Sequence, residues 1–215
     1  MEDPFSIKTE RYVVQKETWP RIGCQIVAQY TEDAVLVYQA FKRSIADYAV
    51  QHQKFEGCPE YNCTRMTWVK TNFLWMMYRS NWGKKKNQEA VLGIWLKREA
   101  FDRILENVRV VVNKNDSKKN QSIIPKGERR DYGIVRLQWD PDHTPTGTPI
   151  KNRRAIQLGL KNVKSFSSGE DILRIVDMTP FVAEQYKYLS SPDLLTPLEK
   201  VYPLSKSLSN TILID

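Results

Sequence analysis

The sequence predicts a single α+β domain with a mixed central sheet flanked by helices. Three observations carry that expectation. Segments of strand and helix period alternate through the first half, while the second half sets strands side by side across a turn with no helix between them. The chain has 215 residues, 41% hydrophobic and 27% charged, which suffices for one substantial core and gives no reason for a second.

Residues 1–20 read as a weakly ordered arm ending at Trp19-Pro20. Beyond it Ile22, Cys24, Ile26, Ala28 and Tyr30 alternate with Gly23, Gln25, Val27 and Gln29 at the period of a half-buried strand. The apolar run 34–40 suits a central strand covered on both faces, and the turn at 31–33 would make these two a hairpin. Ser44 followed by Asp47 resembles a capping signal, for a helix over 45–53. A loop over 56–64 leads to a strand over 66–70 that runs straight into a helix starting at Thr71. After Trp82-Gly83 and the run Lys84, Lys85, Lys86 come a strand over 90–97 and a helix over 99–107, with Phe101, Ile104 and Leu105 inward. The stretch 113–131 is polar, basic and aperiodic, the pattern of a mobile surface loop that interrupts the domain without dividing it. Strands over 132–139 and 154–160 flank a turn at 140–149 rich in Pro, Gly and Thr. Thr179-Pro180 opens a helix over 181–189. The tail, 191–215, contains three prolines and is expected to wrap the surface, which leaves 21–190 as the domain proper.

The stretch 65–82 is where the chemistry concentrates. Phe73, Leu74, Trp75, Met76, Met77 and Tyr78 make its helix apolar nearly all round. Yet Lys70, Arg79 and the tryptophans Trp68, Trp75 and Trp82 share the same short span, and a buried cation is costly unless something anionic meets it. A cleft floor satisfies both demands. The net charge of +8 favours anionic partners: nucleic acid, nucleotides or acidic membrane surfaces. Aromatics interleaved with cations suit stacking on bases and contact with phosphates, whereas in the plainer reading the aromatics are core and the charges a solvated rim. No apolar run is long enough to cross a bilayer, and the acid-bearing N-terminus lacks the apolar region of a secretory signal. Three cysteines, Cys24, Cys58 and Cys63, do not make a disulfide framework. An intracellular protein, cytoplasmic or nuclear, is expected.

Several reaction types lack their residues. Cys58, Cys63 and His52 are too few for a structural zinc, so no metal is expected. The chain has no Gly-rich phosphate loop, no nucleophile elbow, and only His52 and His143 as histidines. Any acid or base is then a carboxylate, with Glu89 and Asp140 at strand ends as candidates. Arg154 to Leu160 mixes a cation, an amide and a glycine in an apolar strand, and Gly159 lets a ligand or another backbone come close.

Tyr38-Gln39-Ala40, Met66-Thr67-Trp68 with Lys70, Phe73 through Ser80, Gln88-Glu89, Val135-Arg136 with Gln138-Trp139-Asp140-Pro141, and Ile156 through Leu160 resemble domain-of-unknown-function family 4291 over about residues 21–179. That resemblance implies a family and no chemistry. The order of elements is also similar to an ADP-ribosyltransferase layout: 37–40 as first strand, the helix after Ser44, the unit 66–80, then the strand 90–97, with Gln39 standing where that layout has Arg or His.

The layout implies a nucleotide-binding, transferase-like enzyme, NAD-dependent and acting on nucleic acid. Tyr38, Thr67, Trp68, Lys70 and Trp75 would line the nucleotide pocket, with Tyr78 and Arg79 holding a ring and a phosphate. Gln39, Glu89 and Gln157 would orient the reacting group, and Lys84, Lys85, Lys86, Arg153 and Arg154 would meet nucleic acid. The rival readings are a non-enzymatic nucleic-acid-binding module with a basic, aromatic groove, and a protein-interaction adaptor whose aromatics are all core.

Overall fold

The computed structural model of the protein describes residues 3–110 and 132–212, so the basic stretch 113–131 lies outside the described residues. The N-terminal arm forms β1 (Thr9–Arg11) and α1 (Tyr12–Gln15) and buries Gln15 and Trp19. The strand pattern of 22–30 is realised as two short pieces, β2 (Gly23–Cys24) and β3 (Val27–Ala28). The long elements then follow: β4 (Ala34–Phe41), α2 (Arg43–His52), β5 (Thr67–Lys70), α3 (Phe73–Ser80), β6 (Ala90–Lys97), α4 (Arg98–Glu106) and β7 (Val108–Val110). After the gap come β8 (Ile134–His143), β9 (Pro149–Lys161), α5 (Lys164–Ser167), β10 (Ile172–Asp177) and α6 (Thr179–Gln185). The chain closes with β11 (Leu195–Pro197), β12 (Lys200–Val201) and α7 (Lys206–Ile212).

One mixed sheet organises the domain, in the order β10-β6-β4-β5-β9-β8-β7, with β2 also on β9. Its neighbours are antiparallel except β7 on β8 and β2 on β9, which are parallel. The predicted hairpin of 22–30 with β4 is reduced to a single bridge, Tyr30 to Val35. Competing partners explain this: β2 pairs with β9 and β3 with β12.

Alternation along the strands divides the apolar residues between two faces. Val35, Val37 and Phe41 of β4 join Val69, Leu137 and Leu158 in the larger core, together with Ile45, Ala46 and Ala49 of α2. Leu36, Tyr38 and Ala40 point the other way and meet Phe73, Leu74, Met76 and Met77 of α3 and Val182 of α6. Helix α3 begins two residues later than its apolar pattern predicts. Asn72 is its cap, its side-chain oxygen accepting the Trp75 N–H at 2.8 Å.

The tail is more than a surface strap. β11 pairs with β1 and β12 with β3, and between them Glu199 is only 1% exposed. Its backbone N–H donates to the Gln15 side chain, and its carbonyl accepts the Trp19 indole N–H at 2.8 Å. Arm and tail thus hold each other. No described helix is long and apolar enough to cross a membrane.

Candidate functional site

β4 pairs with β6 along its whole length, from Ala34 opposite Lys97 to Phe41 opposite Ala90, yet meets β5 at one register pair, Tyr38 opposite Lys70. Beyond that pair the two strands part. The opening is a cleft of about 390 Å³ whose lining includes Gln39, Asn62, Arg65, Thr67, Asn87 and Gln88. Four amides, Gln39, Asn62, Asn87 and Gln88, stand in this lining beside the Lys42–Glu60 ion pair, so it presents both hydrogen-bond donors and acceptors.

Lys70 stands where the strands separate. It is 4% exposed, and its ammonium donates to the Trp68 carbonyl at 2.6 Å and to Gln39 Oε1 at 3.4 Å. Both acceptors are neutral, and among the described residues no carboxylate lies within ion-pair distance of it. Burial lowers its pKa to about 7; the positive charge of Arg79 pushes the same way, and the negative charge of Asp140 opposes.

Directly opposed residues on neighbouring strands share a face. Lys70 is opposite Gln157, which is opposite Gln138, and Trp68 is opposite Gly159, which is opposite Arg136. On this face, α3 covers β4 and β6 with apolar side chains, whereas β5, β9 and β8 carry a polar row. Asp140 sits in that row clamped by two amides: Gln138 Nε2 donates to one oxygen at 2.7 Å and Gln157 Nε2 to the other at 2.6 Å. A side chain at Gly159 would lie 2.6 Å from the Met66 sulfur and 3.0 Å from the Trp68 ring, so glycine lets these two lie flat on the sheet.

A family model described as Domain of unknown function (DUF4291) matches residues 25–202. The chain belongs to the DUF4291 family. No curated protein matches it. The match contains the whole Lys70 set and also Glu199, so in this chain the DUF4291 region takes in the tail as far as β12 as well as the long strands of the sheet.

A second polar cluster lies on the same face, under α3. Glu199 Oε1 accepts the Phe73 N–H at 2.7 Å, and Oε2 the Asn72 side-chain amide at 3.3 Å, so a carboxylate caps the positive end of α3. Burial raises its pKa well above the usual carboxylate range. Tyr38, fully buried, lies near Glu199 without a hydrogen bond of ordinary geometry, and burial first, then the Glu199 charge, raises its pKa. Alongside, Arg153 and Asp142 form a sealed ion pair at 2.6 Å with side chains 7% and 4% exposed. Arg153 also lies over the Trp19 ring at 5.2 Å.

The predicted site residues therefore separate. Gln39, Lys70 and Gln157 come together, with Thr67 in the cleft beside Gln39 and Trp68 half-buried on the polar face. Tyr38 and Trp75 are core side chains; Trp75 stacks on His143 with ring centroids 5.0 Å apart. Glu89 is exposed and caps a turn by accepting the Asn87 N–H at 2.7 Å. Tyr78 and Arg79 line a separate cavity with Lys85. Lys84, Lys85, Lys86 and Arg154 are exposed, while Arg153 is sealed. Gln138 is not among the predicted site residues, although it lies two residues from Asp140 on one strand face and so is within reach of strand periodicity. Nothing local marks Glu199. Among the described residues no group of three or more potential metal ligands occurs.

Proposed function

We propose that this DUF4291 protein is a nucleotide-binding enzyme of transferase type that acts on nucleic acid. The donor nucleotide takes the cleft between β4 and β5, and Lys70 takes the proton of the attacking group. The observation that carries this reading is the placement of Lys70. A buried amine with only neutral acceptors is bonded to Gln39, which itself lines an amide-rich cleft of about 390 Å³. Burying an amine away from a counterion is unfavourable, and such arrangements cluster where chemistry needs them. A pKa of about 7 leaves a large fraction of the amine free to accept a proton at neutral pH.

The cleft chemistry supports a nucleotide: Gln39, Asn62, Asn87 and Gln88 offer amides to a polar ring, and exposed Arg65 offers charge to a phosphate. The order β4, α2, β5, α3, β6 supports NAD as the first donor to test. In that transfer an acceptor hydroxyl loses its proton to the Lys70 amine while its oxygen bonds ribose C1′. The glycosidic bond breaks, and its electron pair leaves with neutral nicotinamide. Asp140, held by Gln138 and Gln157, stabilises the lysine once it is protonated.

The test is incubation of the protein with NAD labelled on its adenylate part, with RNA or DNA as acceptor. Label should pass to the acceptor at a rate that rises with pH through about 7, and Lys70→Met should stop it with the fold intact. Binding of nucleic acid without NAD binding or transfer would favour the rival reading, a binding module built on the exposed Lys84, Lys85 and Lys86; its affinity would fall steeply with salt.

A further inference from the structure

A second cavity, of about 500 Å³, lies where the end of α3, the turn after β8 and the segment after α6 meet. Its lining includes Tyr78, Arg79, Asn81, Lys85, Thr146 and Tyr186. We infer that it is a second binding site, for a ligand that joins an aromatic base to a phosphate, and that it seats a nucleotide of the acceptor strand.

Three independent features point there. The first is an aromatic platform left open: Tyr78 is 45% exposed, although its ring stacks on His143 at 3.7 Å and 15° and lies 5.4 Å from Trp75 at 14°. A rigid, stacked ring with an accessible surface suits a base, since every base has a π-face to offer. The second is unpaired positive charge. Among the described residues no carboxylate lies within ion-pair distance of Arg79 or Lys85, and both line the cavity. Neighbouring Lys84 is already engaged, its ammonium 3.1 Å from the Tyr186 ring centroid.

The third feature is backbone strain. Asn81, Trp82 and Gly83 are successive left-handed residues, with φ of 49°, 54° and 72°. Trp82, being bulky, is a true outlier there. The surroundings hold it, since its N–H donates to the Met77 carbonyl at 2.8 Å and its indole to the Pro145 carbonyl at 3.1 Å. This tight exit from α3 buries Trp82 and turns the chain so that Lys85 follows Arg79 along the same cavity. Strain kept in place by surrounding bonds is characteristic of binding sites.

The inference rests on the proposed function for the word acceptor, but binding is read without turnover. The probe is a 3′-fluorescent, 5′-phosphorylated single-stranded RNA hexamer, titrated by anisotropy against the full chain and against Lys85→Gln, Tyr78→Leu and Lys164→Gln, the last an exposed lysine outside both cavities. Lys85→Gln and Tyr78→Leu should each weaken binding about tenfold or more, and Lys164→Gln should bind like the parent. Competition by an unlabelled nucleoside 5′-monophosphate then distinguishes the source: equal displacement identifies a free nucleotide, and displacement by the unlabelled hexamer alone identifies a strand. Parent-like binding by both cavity variants, or an equal loss in Lys164→Gln, would overturn the inference, as would no binding by the parent. Intact hexamer binding with no label transfer would instead remove the transferase reading and leave this site standing.

Discussion

Two polar clusters share one face of the sheet and are built in opposite ways. Under α3, Asp142 pairs with Arg153, and Glu199 accepts from the first turn of α3. Beside it, where α3 no longer covers the sheet, Lys70 is as deeply buried yet bonds only a carbonyl and an amide oxygen. The nearest carboxylate to influence it, Asp140, is occupied by two glutamines. In the first cluster the buried ions compensate each other, and removing either one leaves the other uncompensated. The second carries a buried amine without a counterion, which costs stability, and the proposed function is a reason to keep it.

Breaking the sealed cluster should have the largest effect on stability. Arg153→Met leaves Asp142 buried without its partner, a loss of about 3–5 kcal/mol, to be read as a lower midpoint in urea. Lys70→Met should act in the opposite direction. The folded pKa of about 7 lies below the unfolded value of about 10.4, so between these the unfolded chain holds the extra proton. Stability therefore rises with pH from about 7 to about 10.4, and the penalty is complete below about 7. Replacing the amine by an apolar chain of similar length should stabilise the protein on the order of a few kcal/mol at pH 6 and not at all at pH 11. A variant that gains stability and loses transfer would sharpen the contrast; equal destabilisation by both substitutions would erase it. The smallest effect is expected from Glu199→Gln. A glutamine oxygen can still accept the Phe73 N–H, so the loss should stay below about 1 kcal/mol, checked in the same titrations.

How far the sequence revealed this depends on the range of the interactions. The strands β4 and β6 are long apolar runs and the helix α4 is periodic, and their patterns alone place them. Lys70 was conspicuous because a cation in an apolar run needs a reason, and Gln39 and Gln157 reach it through neighbouring strands. Glu199 gave no such signal. It caps a helix from more than a hundred residues away, on a tail whose strands are too short to show a period. Arg153 read as a surface cation because its partner, Asp142, lies on the adjoining strand. Glu89 looked catalytic at a strand end, and its turn-capping bond to Asn87 emerges only once the backbone is folded. Register, more than propensity, decides which polar residues meet.

The measurement that tests the central claim most directly is the titration of the Lys70 ammonium by NMR, with lysine labelled at Cε and Nζ and the signal assigned by its absence in Lys70→Met. A midpoint near 7 would establish a buried amine poised to exchange a proton at neutral pH. A midpoint near 10.4, that of an ordinary solvated lysine, would contradict the account.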